Sequence, residues 1–337
     1  MEDPSTRDPA QIPLPDDRPD REALVALHNA AERIRGEVGK LIVGQRDLID
    51  LLIVALLAGG HVLVEGVPGI AKTLTARLIA RTIDATYRRI QFTPDLMPSD
   101  VTGSSILNAA EGRFTFNPGP IFGNLVLIDE INRAPAKTQA ALFEVMAEQQ
   151  VTVDGTTHPL PDPFFVIATQ NPIDQEGTYR LPEAQLDRFL LRILVDYPDR
   201  QEERDILYRF RSDFRHRQLD DVQRVLSQAE ISRFRQVVEA IYIRDELLDY
   251  IADLVHRTRA HPDLYLGASP RASLAILRLA KARAALDGRD FVTPDDIQSV
   301  AGPALNHRIL LIPEREMEGY SAQDVIEEII RALEVPR

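Results

Sequence analysis

One stretch of this chain limits its fold more than any other. His61 to Glu65 (HVLVE) is short, apolar and β-branched, and Gly66-Val67-Pro68-Gly69-Ile70-Ala71-Lys72-Thr73 follows it directly. A helical pattern then runs from Thr73 to Ile83. A buried strand, a Gly-rich turn and the start of a helix, in that order, make a phosphate cradle. Backbone N–H groups at the helix N-terminus point at the anion, and the helix dipole favours its charge. A lysine closing such a turn reaches the β- and γ-phosphates of a nucleotide, and the hydroxyl after it ligates Mg²⁺. Lys72 and Thr73 stand at those positions. Ala71 stands where a second glycine is usual. Alanine tolerates helical dihedrals, so the expectation here is a slight loss of clearance around the phosphate.

A phosphate turn of this kind needs a sheet behind it. Arg88–Phe92, Leu125–Ile128 (LVLI), Phe164–Ala168 (FFVIA) and Leu190–Val195 read as further strands, and the most apolar of them suit a parallel sheet covered on both faces. Leu24, Leu27, Ala31 and Ile34 recur at helical spacing, and further helices are expected over Gln45–Leu57, stopped by Gly59-Gly60, and over Ala136–Glu148. After Pro198 the strand signal almost vanishes. Helices are expected at Arg200–Phe210, Gln228–Ile241, Arg244–Arg259, Pro270–Leu286, Pro294–Ala304 and Ala322–Leu333. Ser269-Pro270 and Thr293-Pro294 each put a capping hydroxyl before a proline at the first helical position, and Asp296 adds a capping-box partner to Thr293. The expected organisation is a Pro- and Asp-rich disordered tail (1–20), an α/β nucleotide-binding domain (21–198) and an α-helical domain (199–337).

The strand Leu125–Ile128 runs into Asp129-Glu130. Hydrolysis of a phosphoanhydride needs one carboxylate near the metal and one acting on the attacking water. Asp129 fits the first task and Glu130 the second. A helix-capping Asp beside a solvated Glu is the plainer reading, and the phosphate turn upstream favours the catalytic one. The strand Phe164–Ala168 ends in Thr169-Gln170-Asn171-Pro172. Asn171 either bridges the water and the γ-phosphate or makes an ordinary Asn-Pro turn. Arg188, in Asp187-Arg188-Phe189, is either a finger aimed at a phosphate or the surface partner of Asp187, and spacing alone favours the partner. Arg271 falls in the first turn of a helix, where a cation opposes the dipole, so it needs a phosphate or a nearby carboxylate.

Other chemistries are excluded. There are no cysteines, hence no disulfides, thiolate metal sites or Cys nucleophiles. A net charge of −13 repels nucleic acid in bulk. The apolar run Leu48–Leu57 carries Asp50 and is too short to span a bilayer, and the acidic, Pro-rich N-terminus does not read as a signal peptide. No membrane insertion and a cytoplasmic location are expected.

Several segments together resemble the MoxR family of AAA+ ATPases, in its helix-2-insert clade. They are Ile42-Val43-Gly44-Gln45, GVPGIAKT (66–73), LIDEINRAP (127–135), NRAPAKTQAALFEVMAE (132–148), ATQNP (168–172), LPEAQLDRF (181–189) and SPRAS (269–273). Alanine before the lysine is similar to that family's own version of the turn. The resemblance implies a P-loop AAA+ parallel-sheet sandwich followed by an all-α lid domain, with ATP and Mg²⁺ as ligands. It implies that Val43 and Gln45 flank the adenine and that Gly66, Pro68, Gly69, Ile70, Ala71, Lys72, Thr73 and Leu74 hold the phosphates. It makes Thr73 and Asp129 the metal ligands, Glu130 the base, Asn171 sensor 1, Arg188 the finger given to a neighbouring subunit, and Arg271 sensor 2. A homo-oligomeric ring, expected to be hexameric, follows because ATP would sit between subunits. Ser104–Phe116 and Gln150–His158 resemble the clade's hairpins, with turns at Glu111-Gly112 and Asp154-Gly155, facing the pore or a substrate. Simple packing is the preferred reading of Phe114 and Phe116. Members are thought to remodel or activate other proteins, often with a von Willebrand factor A domain partner, and no residue names the client. A DNA-acting motor of the related helicase type is the alternative, disfavoured by the acidic charge and the lack of an added DNA-binding domain.

Overall fold

The computed structural model describes residues 19–108, 112–172, 178–211 and 219–336. The expected disordered tail, up to residue 18, and the hairpin residue Glu111 lie outside them.

The core is a five-stranded parallel sheet. Its strands are β1 (Val62–Gly66), β2 (Tyr87–Gln91), β3 (Leu125–Asp129), β4 (Phe165–Gln170) and β5 (Leu191–Val195), in the spatial order β5-β1-β4-β3-β2. Register runs Val62 to Leu191 and Ile167, Leu125 to Phe165, and Ile90 to Ile128. Each strand lies within two residues of its sequence expectation. Every residue of β1 and β3 is buried, because both faces of the sheet are covered. Side chains alternate between the faces. Leu63, Val126, Ile128 and Val166 pack with Leu142, Phe143 and Met146 of helix Ala136–Glu148 on one side. Val62, Val64, Leu127 and Ile167 pack on the other with α1 (Arg21–Gly39), α2 (Arg46–Leu57) and α3 (Lys72–Arg81). Since all five strands run the same way, the turns after β1, β3 and β4 open on one edge, where ligands of such sheets bind.

Beyond Pro198 the structure is mostly helical. The long helices are Arg200–Phe210, Gln228–Glu239, Asp245–Ala260, Pro270–Leu286, Pro294–Leu305 and Ala322–Ala332. Helix Pro270–Leu286 buries Ala275, Ala280, Ala282, Ala284 and Ala285 and belongs to the same apolar cluster as α1 and α2. Asp50, buried in α2, receives Arg35 of α1 at 2.6 Å and Arg283 of the Pro270 helix at 3.3 Å, which ties the three together. Among the described residues no helix is long and apolar enough to cross a membrane.

Four local expectations need correction or refinement. The helix read to Ile83 stops at Arg81, and Ile83–Asp84 instead pairs in parallel with Leu226–Ser227. Ser269 holds the N-cap position without a side-chain capping bond, whereas Asp296 accepts both the backbone N–H and the hydroxyl of Thr293 at 2.8 Å. The two hairpins are present, as Gly103–Asn108 with Arg113–Pro118 and Gln150–Val153 with Thr156–Pro159. Asp154 and Gly155, with φ of 50° and 78°, turn the second in the left-handed conformation a tight hairpin needs. Packing explains Phe116, which stacks on His158 at 4.0 Å and meets the edge of Phe122 at 5.6 Å, so the hairpins lock together. It does not explain Phe114, which lies opposite Leu107 and is 71% exposed.

Candidate nucleotide site

The turn after β1 is built by close approach. A Cβ on Gly66 would come within 2.4 Å of the Val195 carbonyl oxygen of β5, so only glycine fits. Gly69 has φ of +90°. Ala71 adopts φ 62°, ψ 18°, which is left-handed rather than helical. The helical dihedrals expected for it are therefore wrong. This conformation costs a non-glycine residue about 1–2 kcal/mol, and the surrounding bonds must impose it. Gln45 supplies two of them: its Nε2 donates to the Ile70 carbonyl at 2.7 Å and its Oε1 accepts from the Thr75 hydroxyl at 2.9 Å. The side chain expected beside an adenine is thus engaged with the phosphate turn itself. Val43 lies half-buried two residues before it. Pro68 and Gly69 are exposed, Ile70 is buried, and Ala71 and Leu74 pack partly against the core, which leaves the turn's backbone to face a ligand.

Lys72 bridges two strand ends. Its ammonium donates to the carbonyls of Gly66 at the end of β1 and Gln170 at the end of β4, the latter at 2.9 Å. Burial pulls its pKa below the ordinary value, against the opposing pull of the Glu65, Glu130 and Asp129 carboxylates. The Thr73 hydroxyl donates to Asp129 Oδ1 at 2.7 Å, and the Thr169 hydroxyl reaches the same oxygen at 3.3 Å. Arg89 Nε of β2 donates to Asp129 Oδ2 at 2.6 Å. A hydroxyl and a carboxylate this close form the sparse, hard-oxygen donor set that Mg²⁺ accepts, the remaining positions going to water and phosphate. The residues present therefore fit the metal.

Glu130 also sits in the left-handed region, at φ 56°, and its N–H donates to the Thr169 hydroxyl at 3.1 Å. Strain of this kind clusters at functional sites. Gln91 Nε2 donates to its carboxylate at 3.1 Å, and Arg133 Nε lies 3.0 Å from the same oxygen. Asn171 follows Gln170, so it is one residue from a carbonyl that holds Lys72, and its own carbonyl accepts from Asn132 Nδ2 at 3.4 Å.

The two remaining arginines are both exposed. Arg188 does not pair with Asp187, against the reading that spacing favours. It is exposed and donates through Nη1 to the Phe143 carbonyl at 2.9 Å. Asp187 instead pairs with Arg308 at 2.7 Å and, loosely, with Arg271 at 3.8 Å. The nearby carboxylate is thus what Arg271 finds, and it remains 69% exposed. Lys72, Thr73, Asp129, Glu130 and Asn171 stand on one sheet edge, while Arg271 faces Asp187, the residue before Arg188, whose own guanidinium rests on the Phe143 carbonyl.

Arg89, Gln91, Thr169 and Arg308 escaped the sequence reading. Arg89 and Gln91 alternate with buried Ile90 at the C-terminal end of β2, a period-2 pattern that marks them as facing one way together. Arg308 carries no such mark, because a buried arginine and a surface one look alike in sequence. A cleft of about 700 Å³ also opens near the turn, between Gln45, Asp47 and Tyr197 on one side and Arg283, Pro303 and Gln323 on the other.

Comparison with known proteins agrees with this geometry. Residues 61–191 match the family described as ATPase family associated with various cellular activities (AAA), and residues 256–329 match the AAA lid domain. The YeaC protein of Bacillus subtilis is 47% identical over 92% of this chain and 96% of its own length. Chaperone MoxR1 of Mycobacterium tuberculosis is 42% identical over 94% of this chain and 85% of its own. A crystal structure of a candidate ATPase from Cytophaga hutchinsonii superposes with a TM-score of 0.85 at 43% identity, covering 94% of this chain and 98% of that one. With the sheet order, the phosphate turn and the helical region all in agreement, the chain belongs to the MoxR family of AAA+ ATPases.

Proposed function

We propose that the protein hydrolyses Mg-ATP at a site shared by two subunits of a hexameric ring and couples the reaction to remodelling or activating client proteins. One observation carries this reading: Lys72, Thr73, Asp129 and Glu130 converge from the ends of β1 and β3, with Lys72 reaching across to β4. In it, Lys72 exchanges the carbonyls of Gly66 and Gln170 for the β- and γ-phosphates. Thr73 and Asp129 hold Mg²⁺, which when bound offsets the phosphate charge. Glu130 takes a proton from the attacking water, and Asn171 orients that water against the γ-phosphate. The adenine lies near Val43 and Gln45.

Arg188 and Arg271 serve the neighbouring subunit. Both are exposed, Arg188 resting on the Phe143 carbonyl and Arg271 only loosely facing Asp187, and that availability supports donation in trans by both. The nucleotide-binding domain is taken as 21–198 and the lid as 199–337. Exposed Leu107 and Phe114 on the first hairpin offer an apolar contact for a client. A von Willebrand factor A domain partner and a cytoplasmic setting belong to the same reading. A DNA-acting motor is disfavoured by the net charge of −13.

Calorimetry with Mg-ATP and a phosphate-release assay test the chemistry. Lys72→Ala is expected to lose nucleotide binding. Glu130→Gln is expected to bind Mg-ATP normally while turnover falls roughly 10²–10⁴-fold. Hydrolysis by Glu130→Gln at the wild-type rate would remove Glu130 as the base.

A further inference from the structure

Arg308, just past the helix Pro294–Leu305, is the most heavily engaged side chain near the arginine group. Its side chain is 4% exposed. Nε donates to Asp187 Oδ1 at 2.7 Å. Nη2 donates to the carbonyls of Phe189 at 2.7 Å and Asp187 at 3.5 Å. Nη1 donates to the carbonyls of Leu190, at 3.0 Å, and Ala304. A guanidinium has five N–H donors, and the five bonds occupy all of its nitrogens. Three of the accepting carbonyls, those of residues 187, 189 and 190, bracket Arg188, and the accepting carboxylate also faces Arg271.

A buried ion pair contributes little net stability, since desolvation offsets the Coulomb attraction, and its attested use is to fix one arrangement among several. Here the arrangement fixed is the turn that carries Arg188. We propose that Arg308 is a positioning residue for ATP hydrolysis: by gripping both sides of residue 188 and the Asp187 carboxylate, it sets the direction in which Arg188 and Arg271 are presented to the adjoining subunit's nucleotide. This rests on the reading that those arginines act in trans. Because Arg308 belongs to the helical region, any shift of that region moves the pair with it.

Arg308→Lys tests this in the full-length protein. Lysine keeps the charge but has no planar fork, so it cannot span four carbonyls and a carboxylate. The kcat is expected to fall about tenfold or more while KM for Mg-ATP stays within about twofold. Mixing Arg308→Lys with Glu130→Gln subunits is expected to restore turnover above the sum of the two alone. At mixed interfaces an intact Glu130 then faces a correctly presented Arg188. A purely structural role for Arg308 would leave the mixture at that sum. Arg188→Ala mixed with Glu130→Gln is the control. Recovery in the control without recovery for Arg308→Lys overturns this proposal alone, and no recovery in either overturns it together with the trans reading. Should Arg308→Lys fail to fold, Asp187→Asn, which leaves the backbone bonds in place, carries the same expectation and the same refutation.

Discussion

Ala71 is where residue chemistry and the surrounding fold disagree. The octapeptide 66–73 made the phosphate turn legible, because Lys72 and Thr73 have meaning only in that order and context. The left-handed dihedrals of Ala71 were not legible, because alanine has no intrinsic reason to adopt them; Gln45 and the turn impose them. Ala71→Gly should therefore relieve about 1–2 kcal/mol of strain. It should return about 0.4–1 kcal/mol of that through the added freedom of the unfolded chain. The expected net is a gain of roughly 0.5–1 kcal/mol in a urea melt of the nucleotide-free protein. A glycine variant less stable than wild type by that amount would show that the turn is unstrained. The same distinction separates Asp129 and Glu130, announced by an apolar strand running into two carboxylates, from Arg89 and Gln91, whose partners lie some forty residues away and are set only by sheet order.

At the scale of elements, strands with both faces buried were the easiest to read, because β1, β3 and β4 each open on three or more consecutive apolar residues before their polar ends. The two-residue pairing of Ile83–Asp84 with Leu226–Ser227 was invisible, since so short a segment has no period of its own. His61 shows how the sheet is fastened. It stands just before β1, accepts from the Val166 N–H of β4 at 3.1 Å, and lies 3.3 Å from the Met146 carbonyl near the end of helix Ala136–Glu148. Accepting at Nδ1 leaves Nε2 to donate, so the ring is held neutral. Complete burial lowers its pKa to about 4. The unfolded chain therefore binds a proton that the folded one refuses between its ordinary value near 6.5 and about 4. Stability that is full above pH 6.5 is lost as pH falls through that window, by up to about 3 kcal/mol from this residue. Buried His307 is shifted in the same direction, chiefly by desolvation, and adds to the slope. Denaturant melts at pH 7 and pH 5 should show the loss, and His61→Gln should flatten it. An equal slope in that variant would assign the acid sensitivity elsewhere.

For the whole molecule, the proposed trans reading needs assembly to bring the exposed Arg188 and Arg271 of one subunit to the phosphate turn of the next. The client was not legible in the residues, because its recognition depends on a partner this chain does not encode, and a ring size would depend on how whole surfaces of two copies meet, which no short motif specifies. A trans arrangement would nevertheless have a signature in bulk kinetics. Arg188 is exposed, and among the described residues its side chain makes one hydrogen bond, to the Phe143 carbonyl, so removing it should disturb its own fold little. Its loss should reduce turnover by roughly 10³-fold, the scale on which an arginine finger stabilises the transferring phosphoryl group. Nucleotide affinity should stay nearly intact, because in the proposed site Lys72 and the turn backbone, all in one subunit, would hold the ground-state phosphates. Wild-type specific activity should also fall on dilution, as subunits that complete one another's sites separate. An Arg188→Ala variant that lost affinity and turnover in equal measure, with wild-type activity independent of protein concentration, would place the arginine in its own subunit's site. The contact of Arg271 with Asp187 would then be a feature of the lid contact alone.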